Sequence, residues 1–142
     1  MAVGINGAAA GIARGWLDTL GATSFSVPGG FVQLHTGDPG PLGLAANKST
    51  VHTQGSDQAL KSLTWAAATT TSNTTTKAIS NAPQWASWGG ANNEVVSHVS
   101  IWSAASAGTF LFSAALAQSR TINTGDTVNL TSLSISITPI AI

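Results

Sequence analysis

The 142 residues contain no cysteine and no tyrosine, and only 7% of them are charged. Without cysteine there is no disulfide scaffold, no thiolate zinc site and no cysteine nucleophile. Five Lys and Arg balance five Asp and Glu to a formal charge of +0. That balance argues against nucleic acid as a partner, because phosphate affinity needs clustered basic residues. No run of about 18 apolar residues occurs, so no membrane-spanning helix is expected. Met1 to Leu20 has an apolar stripe but no basic start, and Arg14 and Asp18 interrupt it. No targeting segment is therefore expected there.

What remains is abundant and neutral. Ser and Thr supply 35 residues and Ala another 23. An ordinary domain carries about 25% charged residues and uses them to stay soluble. This chain would instead show water a coat of hydroxyls, amides and methyls. A monomer relying on Ser and Thr fits that, but a subunit with much of its surface inside an assembly fits better. Neutral surface lowers the desolvation penalty of packing against neighbours. The length suits one domain able to bury roughly two-thirds of its unfolded surface.

Asn6 can cap a helix whose stripe is Ile5, Ala8, Ala9, Ile12, Ala13, Trp16, Leu17 and Leu20, with Gly21 as its stop. Gly7, Gly11 and Gly15 lie opposite that stripe, each costing about 1 kcal/mol relative to Ala. Such a helix needs a packing partner, either its own sheet or another subunit. After Gly21 the period changes. Phe31 to His35 reads as a short buried strand, and Thr36 to Gly43 as a cluster of turn formers. Ala45 to Gln58 is polar and aperiodic, which predicts a long exposed loop. Leu63-Thr64-Trp65 opens a second strand, and Thr69 to Thr76 is a threonine-rich bend that favours extended backbone.

The second half alternates more clearly. Val95, Val99 and Ile101 share one parity, and Val96, His98 and Trp102 the other, which predicts a strand covered in part on both faces. Ser103 to Gly108 is a small-residue turn, with Thr109 to Phe112 as the return strand. Gln118 to Ile122 is another strand, and Asn123-Thr124-Gly125-Asp126 a hairpin turn. Leu133, Ile135 and Ile137 alternate with Ser132, Ser134 and Ser136, apolar inward and hydroxyl outward. The expected fold is mainly β: an antiparallel β-sandwich with one N-terminal α-helix, as a single domain over 1–142. Helix and linker occupy 1–24, and a long loop 37–60.

Chemistry-bearing patterns are sparse. His35 and Asp38 flank a turn, but a metal would need further ligands, and His52, Asp57 and His98 stand in no recognisable spacing. Asp38 before Pro39 is better explained as a turn starter, and His98 as a packed or hydrogen-bonded strand residue. No Gly-X-Ser-X-Gly elbow supports a hydrolase, and no Gly-rich phosphate loop is present. Trp16, Trp65 and Trp102 are expected in the core. Trp85 and Trp88, in Pro83 to Gly90, either cover an open end of the sandwich or display aromatic surface to a carbohydrate. Covering is the favoured reading. No catalytic, cofactor-binding or metal site is expected.

The run Phe31-Val32-Gln33-Leu34-His35-Thr36-Gly37-Asp38-Pro39-Gly40 resembles a hallmark of small tailed-phage virion proteins, labelled minor tail, tail-fibre-like or capsid accessory proteins. The small-residue N-terminal segment is similar to versions from phages of actinobacteria. Leu63 to Ala68, Val96 to Ala105, Gly108 to Leu111, Thr124 to Val128 and the alternating C-terminal strand follow in the family's order. The loop Leu42 to Gln58 is longer, and Asn92-Asn93-Glu94 more polar, than the family pattern. The resemblance implies a non-enzymatic virion subunit that self-associates and is assembled in the host cytoplasm. The first expectation is a capsid decoration (cement or minor capsid) protein bound to the major capsid protein lattice on the outside of the head. The alternative is a minor tail or tail-fibre-associated protein bound to tail subunits and touching glycans through Trp85 and Trp88. No cofactor, nucleic acid or membrane is expected in either case.

Overall fold

The computed structural model describes residues 30–41, 43, 47–72 and 74–138. The helix expected between Asn6 and Leu20, and Trp16 with it, lies outside them. The described residues contain no α-helix, and Thr50–His52 forms a 3-10 turn. All strand pairing among them is antiparallel.

The largest sheet has four strands. Its centre is β1, Phe31–His35, flanked on one side by β2, Lys61–Ser62. The order of the remaining strands follows the chain. A three-stranded sheet contains β3, Thr69–Thr71, and β4, Thr74–Ala78, joined by a tight turn in which Ser72 has φ 48°. Next, β5, Gln84–Trp85, belongs to a two-stranded pair. β6, Glu94–Trp102, runs beside β1 and pairs on its other side with β7, Phe110–Ile122, completing the first sheet in the order β2-β1-β6-β7. β8, Val128–Asn129, pairs with β5, and β9, Ser134–Ile137, pairs with β4.

One buried cluster joins the three sheets. Val32, Leu34, Val99, Ile101, Phe112 and Ala114 come from the inner face of the large sheet, at matched register: Val32 opposite Ile101, Leu34 opposite Val99, Ile101 opposite Phe112. Trp85, Trp88, Leu130 and Leu133 close it from the other elements, with Trp65, Ile79, Val128 and Ile135 packed at its border. Burial of this apolar area is the main stabilising term, about 1.5–3 kcal/mol for each large side chain removed from water.

Two register shifts explain why simple alternation fails in the long strands. Between Val96 and His98 the partners on β7 jump from Arg120 to Ala115. Val96 and Val99 are both buried in the cluster although they stand at opposite parity, while Val95 is 44% exposed. The expected grouping of Val95 with Val99 and Ile101 is therefore corrected: the irregularity changes which parity faces inward. The second shift sets Trp102 opposite Phe110 and Ile101 opposite Phe112, so Leu111 is an extra residue and three consecutive side chains are buried.

Other expectations need similar correction. Gln118 to Ile122 is the far end of β7 and not a separate strand. Asn123 to Asp126 does form a turn, closed by Asp126 N–H to Asn123 O and by Asn123 N–H to the Asp126 carboxylate, with Gly125 at φ 90°. It leads from β7 to β8, which lie in different sheets, so it is not a hairpin. From the residue before β9 onward the inward period fades: Leu133 is buried, Ile135 half-buried and Ile137 50% exposed. Thr69 to Thr76 makes the β3–β4 hairpin, with β3 wholly exposed. Hydroxyls bond across this sheet, Thr70 on β3 to Thr75 on β4 at 2.9 Å and Thr76 on β4 to Ser136 on β9 at 2.7 Å.

Candidate functional site

The stretch expected to be a long exposed loop is partly buried. Ser49 and Val51 have no exposed surface, and His52 is buried beside them. The segment returns along the end of β1, with Lys48 bridged to His35, Thr36 N–H donating to Asn47 O at 2.8 Å and Ser49 N–H to Leu34 O at 3.0 Å. Its polarity reflects partners rather than solvent. The Glu94 carboxylate accepts from Ser49 Oγ at 2.9 Å, Thr50 N–H at 2.8 Å and Thr50 Oγ1 at 3.0 Å. His52 Nε2 accepts the Leu34 N–H at 2.9 Å, so its proton sits on Nδ1 and faces Gln58 O at 3.0 Å. Gly55 and Gly89 touch backbone to backbone here: a Cβ on Gly89 would lie 2.6 Å from the Gly55 Cα.

On the outer face of the large sheet, β1 and β6 place Gln33 opposite Ser100 and His35 opposite His98. Ser100 Oγ lies 2.7 Å from His35 Nε2 and accepts from Trp102 Nε1 at 2.8 Å. His35 and Ser100 are both fully buried. Burial lowers the His35 pKa to about 4, helped by charge on His52, His98 and Lys48 and opposed by the Asn47 backbone. Burial also lowers that of His52, with Lys48 and Lys61 acting the same way and the Gln58 carbonyl and Glu94 against it. Both imidazoles are thus neutral. The Ser100–His35 pair has the reach of a nucleophile and its base, yet neither atom meets solvent. Its visible work is to tie β1 to β6.

The residues singled out from the sequence do not converge. Asp38 accepts the Gly40 N–H at 2.9 Å, a turn-starting bond, while His35 points to Ser100. His98 Nδ1 meets Ser97 Oγ at 2.8 Å. Asp57 forms an i,i+4 ion pair with Lys61. Among the described residues no group of three or more His, Cys, Asp or Glu could hold a metal. Trp85 and Trp88 have no exposed surface, so contact with a glycan through these indoles is excluded. Trp85 meets the His52 ring edge-on at 6.2 Å, and the Lys61 ammonium lies 5.9 Å from its ring centre.

Trp102, expected in the core, is half-exposed on the outer face. It lines an open cleft of about 260 Å³ together with Gln33, Lys48 and Leu60, walled by small residues of the 104–108 turn. Sequence reasoning missed this cleft. Its signal was Gln33 between two core residues on β1, a polar side chain turned to the face where Trp102 also points.

No curated protein matches the chain. A family model described as podophage GP4 fiber I protein gp80 matches residues 8–138. That span covers the whole described β-structure and more than half of the chain. It supports the resemblance to phage virion proteins at that level, and says nothing of actinobacterial phages or of decoration. The chain is a phage structural protein, part of the virion, and it belongs to the podophage GP4 fiber I protein gp80 family.

Proposed function

We propose that this protein is a tail-fibre-associated structural subunit that works by packing against copies of itself and neighbouring tail subunits. The match of residues 8–138 to a fibre protein family carries this reading. It favours the tail alternative over decoration of the head. The surface chemistry supports a packing role: few charges, and an outward hydroxyl face on the β3-β4-β9 sheet. A fibre subunit needs neither cofactor nor catalytic centre, and the buried, neutral Ser100–His35 pair offers a substrate no access. Its partners are then protein surfaces and not nucleic acid or lipid. Among the described residues no helix is long and apolar enough to cross a membrane. Assembly in the host cytoplasm goes with this reading. Immunogold labelling of intact virions tests it: gold on the tail or its fibres is the expected result, and gold spread over the head shell would overturn it.

A further inference from the structure

Residues 47–58 form a strap over the part of the β1 edge that β2 leaves uncovered, and one neutral imidazole pins it. Leu34 gives the strap both of its edge groups. Its carbonyl accepts the Ser49 N–H at 3.0 Å, and its N–H donates to His52 Nε2 at 2.9 Å. The second bond requires a bare ring nitrogen. An imidazolium carries a proton on both nitrogens and has no acceptor to offer. A proton on His52 would therefore set N–H against N–H and leave the buried Leu34 amide unpaired. The other ties of the strap do not titrate in this way: the Thr36 bond to Asn47, the Ser49 bond to Leu34 and the contact of Gly55 with Gly89 are all between backbone groups.

Every element packed against His52 bears on its charge. Lys61 of β2 and Lys48 of the strap oppose a cation there, and His35 of β1 stands close enough to be coupled to it. Glu94 of β6 and the Gln58 carbonyl favour one, but the Glu94 carboxylate is engaged with Ser49 and Thr50. Trp85 of β5 presents a ring edge, and Asp57 is held by Lys61. Burial is the largest influence, and the His52 pKa lies below its ordinary 6.5.

We propose that the strap is an acid-released latch: a proton on His52 breaks its bond to Leu34, and the strap lifts from the β1 edge while β1, β6 and β7 stay paired. Above pH 6.5 the ring is neutral whether the strap is closed or open, and pH has no effect through it. Below 6.5 only the open strap, with His52 in water, takes up the proton. Opening then becomes more frequent by roughly tenfold per pH unit, until the pinned ring titrates as well. His35 remains bonded to Ser100 of β6 and is not the pin. This inference goes beyond the structural role and does not depend on it.

Native-state hydrogen exchange of the ¹⁵N-labelled full chain at pH 7 and 5.5, in a series of low urea concentrations, tests the proposal once rates are corrected for intrinsic exchange. The Leu34 and Ser49 amides should open roughly ten times more often at pH 5.5. Their exchange should hardly respond to urea, the mark of a local opening, whereas β6 amides should exchange through global unfolding that urea promotes steeply. His52→Gln keeps a donor and an acceptor but cannot titrate, so the pH response of these two amides should vanish in it and persist in His35→Gln. The ring ¹⁵N signals of wild type supply a readout that needs no variant: Nε2 of His52 should be unprotonated at pH 7. A protonated Nε2 at pH 7, strap amides that share the rates and urea dependence of β6 at both pH values, or a pH response retained in His52→Gln would overturn the proposal.

Discussion

Acid should destabilise this protein through one histidine, and the size of the effect can be worked out. His35 has no exposed surface, and its pKa falls from 6.5 to about 4, burial being the largest cause. Above pH 6.5 the imidazole is neutral in the folded and the unfolded chain, and pH makes no difference through it. Between about 6.5 and 4 the unfolded chain takes up the proton and the folded chain does not. Stability therefore falls as pH drops, by about 1.4 kcal/mol per pH unit, to a total of about 3 kcal/mol. Below the folded value both states are charged and the loss levels off. His52 is shifted in the same direction and adds to the decline. Urea unfolding at pH 7, 5.5 and 4 measures it. His35→Gln keeps a group able to bond Ser100 and cannot titrate, so its stability should decline less steeply than wild type by most of that amount. Equal slopes in wild type and His35→Gln would refute the account of this residue.

Other substitutions probe separate parts of the fold. Ile101→Ala, at a fully buried site, should cost about 2–5 kcal/mol in a urea melt, while Val95→Thr on the exposed side should stay within about 0.5 kcal/mol. Gly89→Ala sets a Cβ against the Gly55 backbone and should cost about 1–3 kcal/mol, with no flexible side chain to give way. Glu94→Ala removes the acceptor of three bonds from Ser49 and Thr50 and should cost about 1–3 kcal/mol. In hydrogen exchange it should also expose the Thr50 amide first, ahead of the amides of β1.

What the sequence disclosed follows from where local chemistry decides. The buried strand Phe31 to His35, and the turn residues between β6 and β7, were legible because composition and turn chemistry act over a few residues. The mainly antiparallel β character followed from them. The inward parity of Val96 was not legible, since it depends on how β7 is aligned with β6, and pairing register is set by residues distant in sequence. The segment holding Ser49 and His52 was misread as exposed because its polar groups are satisfied by Glu94, Leu34 and Gln58, which only the fold brings near. The same limit hid the cleft: Gln33, Lys48 and Trp102 meet only when the loop end and β6 are laid beside β1. Trp85 and Trp88 were ambiguous because an indole serves equally well as a core plug or a displayed face. Contacts with His52 and the core decide for the first.

The central claim is that this polypeptide belongs to the tail apparatus of a phage particle. Quantitative mass spectrometry of virions separated into filled heads and intact tails tests it most directly. The account predicts the polypeptide in the tail fraction, in fixed ratio to the fibre proteins, with none above background in heads. Its recovery with heads, in proportion to the major capsid protein and absent from tails, would contradict it.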